Sequence, residues 1–356
     1  MTFVVACGGT GGHVFPGLAV AQELKRRGHE VEVWFSGRDI ESSALSSWDG
    51  AVFSTGARQL SLRAAPSLAR AFFRCMGGIQ RVRPHALLAM GSYSSLPPVL
   101  AARMNHVPVV LHEANAVPGK AVETLSRLAV LTATSFEETA KWLPNRKVAY
   151  TGLPVRSDLA GQPRFPEIPD GAFTVLVTGG SQGARRVNEL VSQAMCLLKQ
   201  ADVNDLFVIH QCGLADEARV GAAYREANVP SMVCAFIKEM GRAYASADLV
   251  ICRAGASTCF ELCLLEKPAL LIPLPSAVRN HQHLNAAAFV RCGGADEGVQ
   301  SELTARSIMR YVLNRKNNPT ALAHMRQALR AMVVPDAARH VADELESVAQ
   351  PAAGQG

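Results

Sequence analysis

The residues best suited to chemistry in this chain gather around two glycine-rich turns. The first, GGTGGH at 8–13, follows an apolar run and precedes a helical pattern. Such a turn aims backbone N–H groups, a helix N-terminus and the Thr10 hydroxyl at an anionic or polar group. His13 stands at its mouth, where capping the turn is the simpler role. This is not the dinucleotide fingerprint. Counted from Gly9, G-x-G-x-x-G would need glycine where Val14 stands, and the second strand ends at Phe35-Ser36 without an acid to grip a ribose. A nicotinamide enzyme is therefore disfavoured. The second turn, GGSQGA at 179–184, holds the matching place in the second half, and its N–H groups and Ser181 can hold a diphosphate.

Other polar residues fall at the ends of apolar runs. In CRAGASTCFE (252–261), Gly255 allows close backbone approach, and Ser257, Thr258 and Glu261 lie near one another around a first helical turn. Glu261 can accept two hydrogen bonds from a ribose diol. The same residues also fit a helix cap, with Ser257 or Thr258 as the cap and Glu261 near the third or fourth position. LHEAN (111–115) offers His112, Glu113 and Asn115. RNHQHLNA (279–286) sets Gln282 and Asn285 one turn apart, suited to sugar hydroxyls. GLPVR (152–156) delivers Arg156 at a domain junction, where it could meet a phosphate. There is no D-x-D pair for a divalent metal, no G-x-x-x-x-G-K-[ST] loop and no G-x-S-x-G, so metal-dependent sugar transfer of the single-domain kind, phosphoryl transfer and serine hydrolysis lose support.

The elements that must position these residues alternate. Strands are expected at 2–7, 30–35, 86–90, 107–112, 130–134 and 147–151, with helices at 16–27, 66–80 and 97–104. LPVRSDLAGQPRFPEIPDG (153–171) reads as a linker. Then FTVLVTGG, LFVIHQ, SMVCAF, DLVICR and ALLIPL repeat the pattern, and the chain beyond Ser301 is mainly helical. Short buried strands alternating with helices imply an α/β fold of two Rossmann-like, doubly wound parallel-sheet domains facing across a cleft. The expected boundaries are 1–155 for an acceptor- and membrane-binding domain, 156–335 for a nucleotide-binding domain, and 336–356 for a C-terminal helix and tail, the helix packing back on the first domain.

At 356 residues and 49% hydrophobic, the chain can fill two cores. Its nine cysteines form no Cys-x-x-Cys pair and have no histidine cluster, so they read as small buried thiols of a reducing cytosol rather than disulfides or a zinc site. The N-terminus shows no signal peptide and no run is long enough to span a bilayer, so a cytoplasmic protein is expected. The net charge is +6. No acid occurs from Gly50 through His112, and 58–84 carries Arg58, Arg63, Arg70, Arg74, Arg81 and Arg83 among Leu60, Leu62, Leu68, Phe72, Phe73, Met76 and Ile79. Apolar anchors beside arginines suit an anionic membrane surface better than nucleic acid. An amphipathic helix with a solvated basic face fits the same pattern.

Taken in order along almost the whole chain, GGTGGHVFPGLA, LHEAN, GLPVR, GGSQGA, CRAGASTCFE and HQHLNA resemble the MurG family of UDP-N-acetylglucosamine transferases, in glycosyltransferase family 28 with its two-domain GT-B fold. The resemblance implies transfer of N-acetylglucosamine from UDP-GlcNAc to a lipid-linked muramyl-pentapeptide diphosphate (lipid I) in peptidoglycan synthesis. It further implies a peripheral place on the cytoplasmic face of the inner membrane, other cell-wall enzymes as partners, and no cofactor or metal. Arg156, Ser181, the backbone at Ile237, the stretch Ala256–Glu261 and Gln282 would bind the UDP-sugar, with Ala256, Ser257 and Thr258 beside the ribose-holding Glu261. Thr10, Gly11, Gly12 and His13 would face the acceptor diphosphate and the reacting sugars, Asn115 would touch the transferred sugar, and Tyr93 stands where the family has a Gly-Gly-Tyr turn. The chain departs from the family at Ser92 of that turn, at Val122 where asparagine is common, and at Asn280 of Asn280-His281-Gln282.

The implied mechanism is a single inverting displacement. The acceptor 4-hydroxyl attacks the anomeric carbon, and a general base takes its proton, with His13 favoured and Glu113 the alternative. Arg156, Ser181 and a helix N-terminus would stabilise the leaving diphosphate. Two other readings stand beside this one: a UDP-sugar epimerase or glycolipid synthase of the same fold, and a non-catalytic membrane-associated binding module.

Overall fold

The computed structural model describes residues 1–37, 48–57, 65–144, 147–180 and 182–350. They form two compact units, one of Met1–Arg156 with the segment from Val334 onward, the other Ser157–Val333. The segment read from sequence as a linker is mostly part of the second unit. Leu159, Phe165 and Ile168 are buried, the Phe165 N–H donates to Ser246 Oγ at 3.0 Å, and Arg242 lies over the Phe165 ring.

The first unit is built on a parallel sheet with strand order β3-β2-β1-β4-β5-β6-β7: β1 Thr2–Ala6, β2 Glu30–Phe35, β3 Ala51–Ser54, β4 Ala86–Ala89, β5 Val109–Glu113, β6 Leu131–Thr134 and β7 Val148–Tyr150. Central strands such as VVLHE of β5 are buried along their whole length, as a parallel sheet covered on both faces requires. β3 escaped the sequence reading because it is a short, largely exposed edge strand.

Helix α1 spans Gly11–Arg26 and so starts before Pro16, its expected beginning. Proline costs the helix one hydrogen bond but does not stop the turn ahead of it, and Gly11 and Gly12 form that turn. Gly17 lets α1 lie on the end of β1: a Cβ there would stand 2.4 Å from the Cys7 Cβ. Helix α2, Ala65–Val82, approaches β2 at Gly78, whose Cβ would meet the Trp34 ring at 2.8 Å. Arg81 fixes its end by donating to Glu32 Oε1 at 2.6 Å. Helices α3 (Leu96–Met104) and α4 (Lys120–Leu125) complete this part of the chain.

The second unit carries a parallel sheet with order β10-β9-β8-β11-β12-β13: β8 Phe173–Thr178, β9 Leu206–Gln211, β10 Ser231–Cys234, β11 Leu249–Cys252, β12 Ala269–Leu271 and β13 Ala295–Glu297. β13 reads ADE, and its two acids hide a strand that the sheet edge supports. Helices α5 (Arg185–Gln200), α6 (Glu217–Glu226), α7 (Met240–Ser246), α8 (Ala256–Leu264), α9 (His281–Arg291), α10 (Ala305–Lys316) and α11 (Pro319–Met332) lie between and after these strands. Helix α12, Ala337–Ala349, rejoins the first unit, where Arg27 of that unit meets Asp343 at 2.7 Å and Glu346 at 2.8 Å.

A buried polar cluster ties α5 to the end of β9. His210 bonds Tyr224 Oη at 2.9 Å and Asn188 Oδ1 at 3.2 Å, while the Asn188 amide donates to Cys212 O and Asp216, each at 2.8 Å. Burial pushes the His210 imidazole down to about 3, so it stays neutral in the folded protein. An unfolded histidine protonates near about 6.5. Below that pH the unfolded chain gains a proton that folded His210 refuses, so stability falls on acidification by up to ~1.4 kcal/mol per pH unit from this group. Urea midpoints measured from pH 7 to 4 should therefore fall less steeply in His210→Gln than in the parent chain. Parallel slopes would show that His210 is not held neutral.

Candidate functional site

In the first unit the candidate residues converge where β1, β4 and β5 end. Thr10 is the exposed N-cap of α1, and Gly11, Gly12 and His13 follow as its first three residues. His13 Nδ1 lies 3.1 Å from Thr10 Oγ1. The turn is held from the side by Ser92 and Ser94, whose hydroxyls donate to Gly8 O at 3.1 and 2.6 Å. Sequence reasoning named Ser92 only as a departure from a Gly-Gly-Tyr turn. Its φ of 65° is a glycine-like conformation that costs on the order of 1–3 kcal/mol, and its hydroxyl bonds offset that strain. Tyr93, the next residue, is 44% exposed. Gly91 must also be glycine: at φ +85°, a Cβ would meet Val122 Cγ2 at 3.0 Å, His112 O at 3.4 Å and His13 Cδ2 at 3.7 Å. Val122 is buried there, an apolar wall behind the turn.

At the end of β5, Glu113 is 4% exposed and both its oxygens are used. Oε1 accepts from Asn115 N at 2.9 Å and Asn115 Nδ2 at 3.0 Å, and Oε2 accepts from Gly119 N at 3.0 Å. Burial raises the carboxyl to about 6, against the opposing pull of those N–H donors. This geometry makes Glu113 the clamp of the 114–119 loop, and Asn115 is held half-buried on it. His112, fully buried, donates toward Gly152 O at 3.3 Å, and burial lowers it to about 4. Arg156 stacks its guanidinium 4.5 Å over Phe15 of α1, so it belongs with the first glycine turn by contact, although the sequence assigned it to the nucleotide-binding domain.

In the second unit the turn after β8 is held equally closely. A Cβ on Gly183, at φ +75°, would stand 2.1 Å from Cys212 O, and one on Gly179 would stand 2.4 Å from Ala184 N. Ser181 lies outside the described residues. Gly255 is the N-cap of α8, so neither Ser257 nor Thr258 caps it. Ala256, Ser257 and Thr258 are the first three helical residues, and Glu261 lies one turn further on. Glu261 Oε2 accepts from the buried Tyr244 hydroxyl at 2.8 Å, which fixes the carboxylate's orientation. Gln282 Oε1 accepts from Leu274 N at 2.9 Å. The Ile237 N–H is given to Gln211 Oε1 at 2.9 Å, which leaves its carbonyl as the backbone group to offer a ligand.

Asn285 needs correction. It is fully buried and donates to Ala254 O at 3.1 Å, so it has no surface for a sugar and instead holds the chain leading into α8. Sequence reasoning missed Gln211 and Tyr244. The signal for Gln211 was present in LFVIHQ, an apolar strand ending in two polar side chains; nothing local marks Tyr244. Among the described residues no group of three or more His, Cys, Asp or Glu could hold a metal ion.

This arrangement has known counterparts. Residues 3–134 match the model of the glycosyltransferase family 28 N-terminal domain, and 174–341 match that of its C-terminal domain. The chain is 36% identical to the UDP-N-acetylglucosamine--N-acetylmuramyl-(pentapeptide) pyrophosphoryl-undecaprenol N-acetylglucosamine transferase of Pelobacter propionicus, over 97% of this chain and 99% of that protein. Among solved structures it is similar to Acinetobacter baumannii MurG, with 32% identity, a TM-score of 0.77, and coverage of 98% of this chain and all of the other. It also shares its fold, at 15% identity and a TM-score of 0.73, with the UDP-GlcNAc 2-epimerase of Neisseria meningitidis, with 98% of this chain and 100% of that chain covered. By both domain matches and by full-length identity, the chain belongs to glycosyltransferase family 28.

Proposed function

We propose that this enzyme transfers N-acetylglucosamine from UDP-GlcNAc to the 4-hydroxyl of a muramyl-pentapeptide carried on diphospho-undecaprenol, with inversion and release of UDP. The full-length identity to a transferase with that printed name carries the reading, and the two glycine turns support it. The turn at Thr10–His13 is offered to the acceptor and its diphosphate, and the turn at 179–184 to the diphosphate of UDP. Ile237, Ala256, Ser257, Thr258, Glu261 and Gln282 are assigned to the nucleotide, and Asn115 and Tyr93 to the sugars. Arg156 presents its charge to phosphate from the α1 side. The epimerase reading rests on fold alone.

His13 is assigned as general base. The competing carboxylate of Glu113 is buried with both oxygens occupied, which fits a positioning role, whereas His13 is only partly buried beside Thr10. As the 4-hydroxyl attacks the anomeric carbon, its proton passes to the imidazole while the glycosidic bond to UDP breaks. The negative charge that develops on the departing diphosphate is met by backbone N–H groups and the N-terminal end of α5.

The chain is further proposed to work against the cytoplasmic face of the membrane that carries its acceptor, beside other cell-wall enzymes. Part of the basic segment, 58–64, lies outside the described residues, but on α2 Phe73 is 71% exposed between the exposed Arg70 and Arg74. No helix among the described residues is long and apolar enough to cross a membrane.

The activity is tested by incubating the protein with UDP-GlcNAc and the lipid-linked acceptor. A lipid product heavier by one N-acetylhexosamine, with matching UDP release, is expected; UDP release without that product would sink the transferase reading. In the same assay His13→Ala should lower kcat by about 10²–10⁴-fold, the usual contribution of a general base, and near-normal turnover would remove His13 from that role. Phe73→Ser should reduce co-sedimentation with anionic phospholipid vesicles at low salt and leave transfer to a detergent-dispersed acceptor intact. Unchanged sedimentation would place the membrane contact elsewhere.

A further inference from the structure

The carboxyl end of β9 carries a side chain whose every polar atom is committed. Gln211 is 2% exposed. Its Nε2 donates to Gly180 O at 3.0 Å, in the second glycine turn, and to Thr178 Oγ1 at 3.2 Å, at the end of β8. Its Oε1 accepts from the N–H of Ile237, beyond β10, at 2.9 Å. Thr178 Oγ1 accepts from Gly180 N as well, at 3.2 Å. The strand pairing explains the reach: Gln211 lies opposite Thr178 on one side and Cys234 on the other, so it is the middle residue of three adjacent parallel strand ends.

The chemistry admits only one orientation of this amide. Gly180 O needs a donor and the Ile237 N–H needs an acceptor, so exchanging oxygen and nitrogen would break both of these backbone bonds at once. Glutamate could not supply two donors, and an apolar side chain would leave buried polar groups unsatisfied. The same side chain thus bonds the end of β8, the turn after it and the segment beyond β10, beside the backbone packing of Gly183 on Cys212.

We infer that Gln211 is a positioning residue for the donor nucleotide, setting the span between the turn offered to the diphosphate and the Ile237 backbone offered to the base. The inference rests on the UDP-sugar reading above. A ligand that touches both ends of a fixed span gains affinity because the second contact is prepaid by the first. Loosening the span therefore affects a ligand that bridges it far more than one that occupies a single end.

The test compares the binding of uridine and UDP by the full chain, with thermal unfolding followed alongside, in the parent, in Gln211→Met and in Thr178→Val. Thr178→Val removes the hydroxyl that braces the turn while leaving Gln211 its bond to Ile237. It serves where Gln211→Met does not fold. In the parent, UDP should bind more tightly than uridine. That advantage should shrink about tenfold in Gln211→Met, equivalent to about 1.4 kcal/mol, and by a smaller factor in Thr178→Val, with uridine affinity changed no more than about twofold in either. Uridine and UDP weakened equally, or an unchanged ratio with a lowered melting temperature, would make Gln211 purely structural and overturn the inference. A parent chain that binds neither ligand would overturn the UDP-sugar reading itself, and the inference with it.

Discussion

The constraint on which both units depend is the closeness of backbone approach at the end of the first strand. Each unit must pass from a buried strand into a helix within a few residues, and do so with N–H groups left pointing outward. That is possible only where no Cβ intervenes. A methyl group on Gly17 would overlap the Cys7 side chain, and one on Gly183 would overlap Cys212 O at 2.1 Å. These contacts are not adjustable by rotating a flexible side chain, since at Gly183 the obstruction is backbone. The helix axis, the position of its N-terminus and the direction of the orphan N–H groups all follow from them.

Such turns leave backbone carbonyls and amides at the rim of the core, and those groups must be satisfied. The structure meets this need with polar side chains from neighbouring strand ends. His210 and Gln211 are consecutive, so they project from opposite faces of their sheet. One ties α5 through Asn188, and the other ties the turn through Gly180. Glu113 does the same for the 114–119 loop, where burial raises its proton affinity while three N–H donors hold the charge in place.

The sequence made the large features legible because parallel strands covered on both faces read as unbroken apolar runs. It also exposed the glycine turns, since their composition has few other uses. What escaped was decided by contacts distant in sequence. AVFS and ADE form strands only because a sheet edge accepts them. Gln282 and Asn285 lie on one helix, one turn apart, yet one is half-exposed and the other fully buried against Ala254 O. The position of Arg156 follows from a ring at Phe15, more than a hundred residues earlier in the chain. Tyr244 and Glu261 meet across two helices, and no local pattern announces the pair.

The two turns are braced by different chemistry, and the difference bears on what each can receive. In the second unit the brace is an amide with all its bonds filled, which has a single satisfied arrangement. In the first, two serine hydroxyls share Gly8 O and lie 2.6 Å from each other, and one of them sits on a strained backbone at φ 65°. A hydroxyl can rotate its proton to a new acceptor, whereas a buried amide cannot exchange its donor for its acceptor. On the acceptor reading proposed above, an anion at the first turn would meet hydroxyls of Ser92 and Ser94 whose protons can turn toward it. Under the proposed function, the second turn would offer the nucleotide a fixed span. Under the same proposal, the first would offer donors that reorient to an acceptor whose diphosphate is only one of several groups to be held.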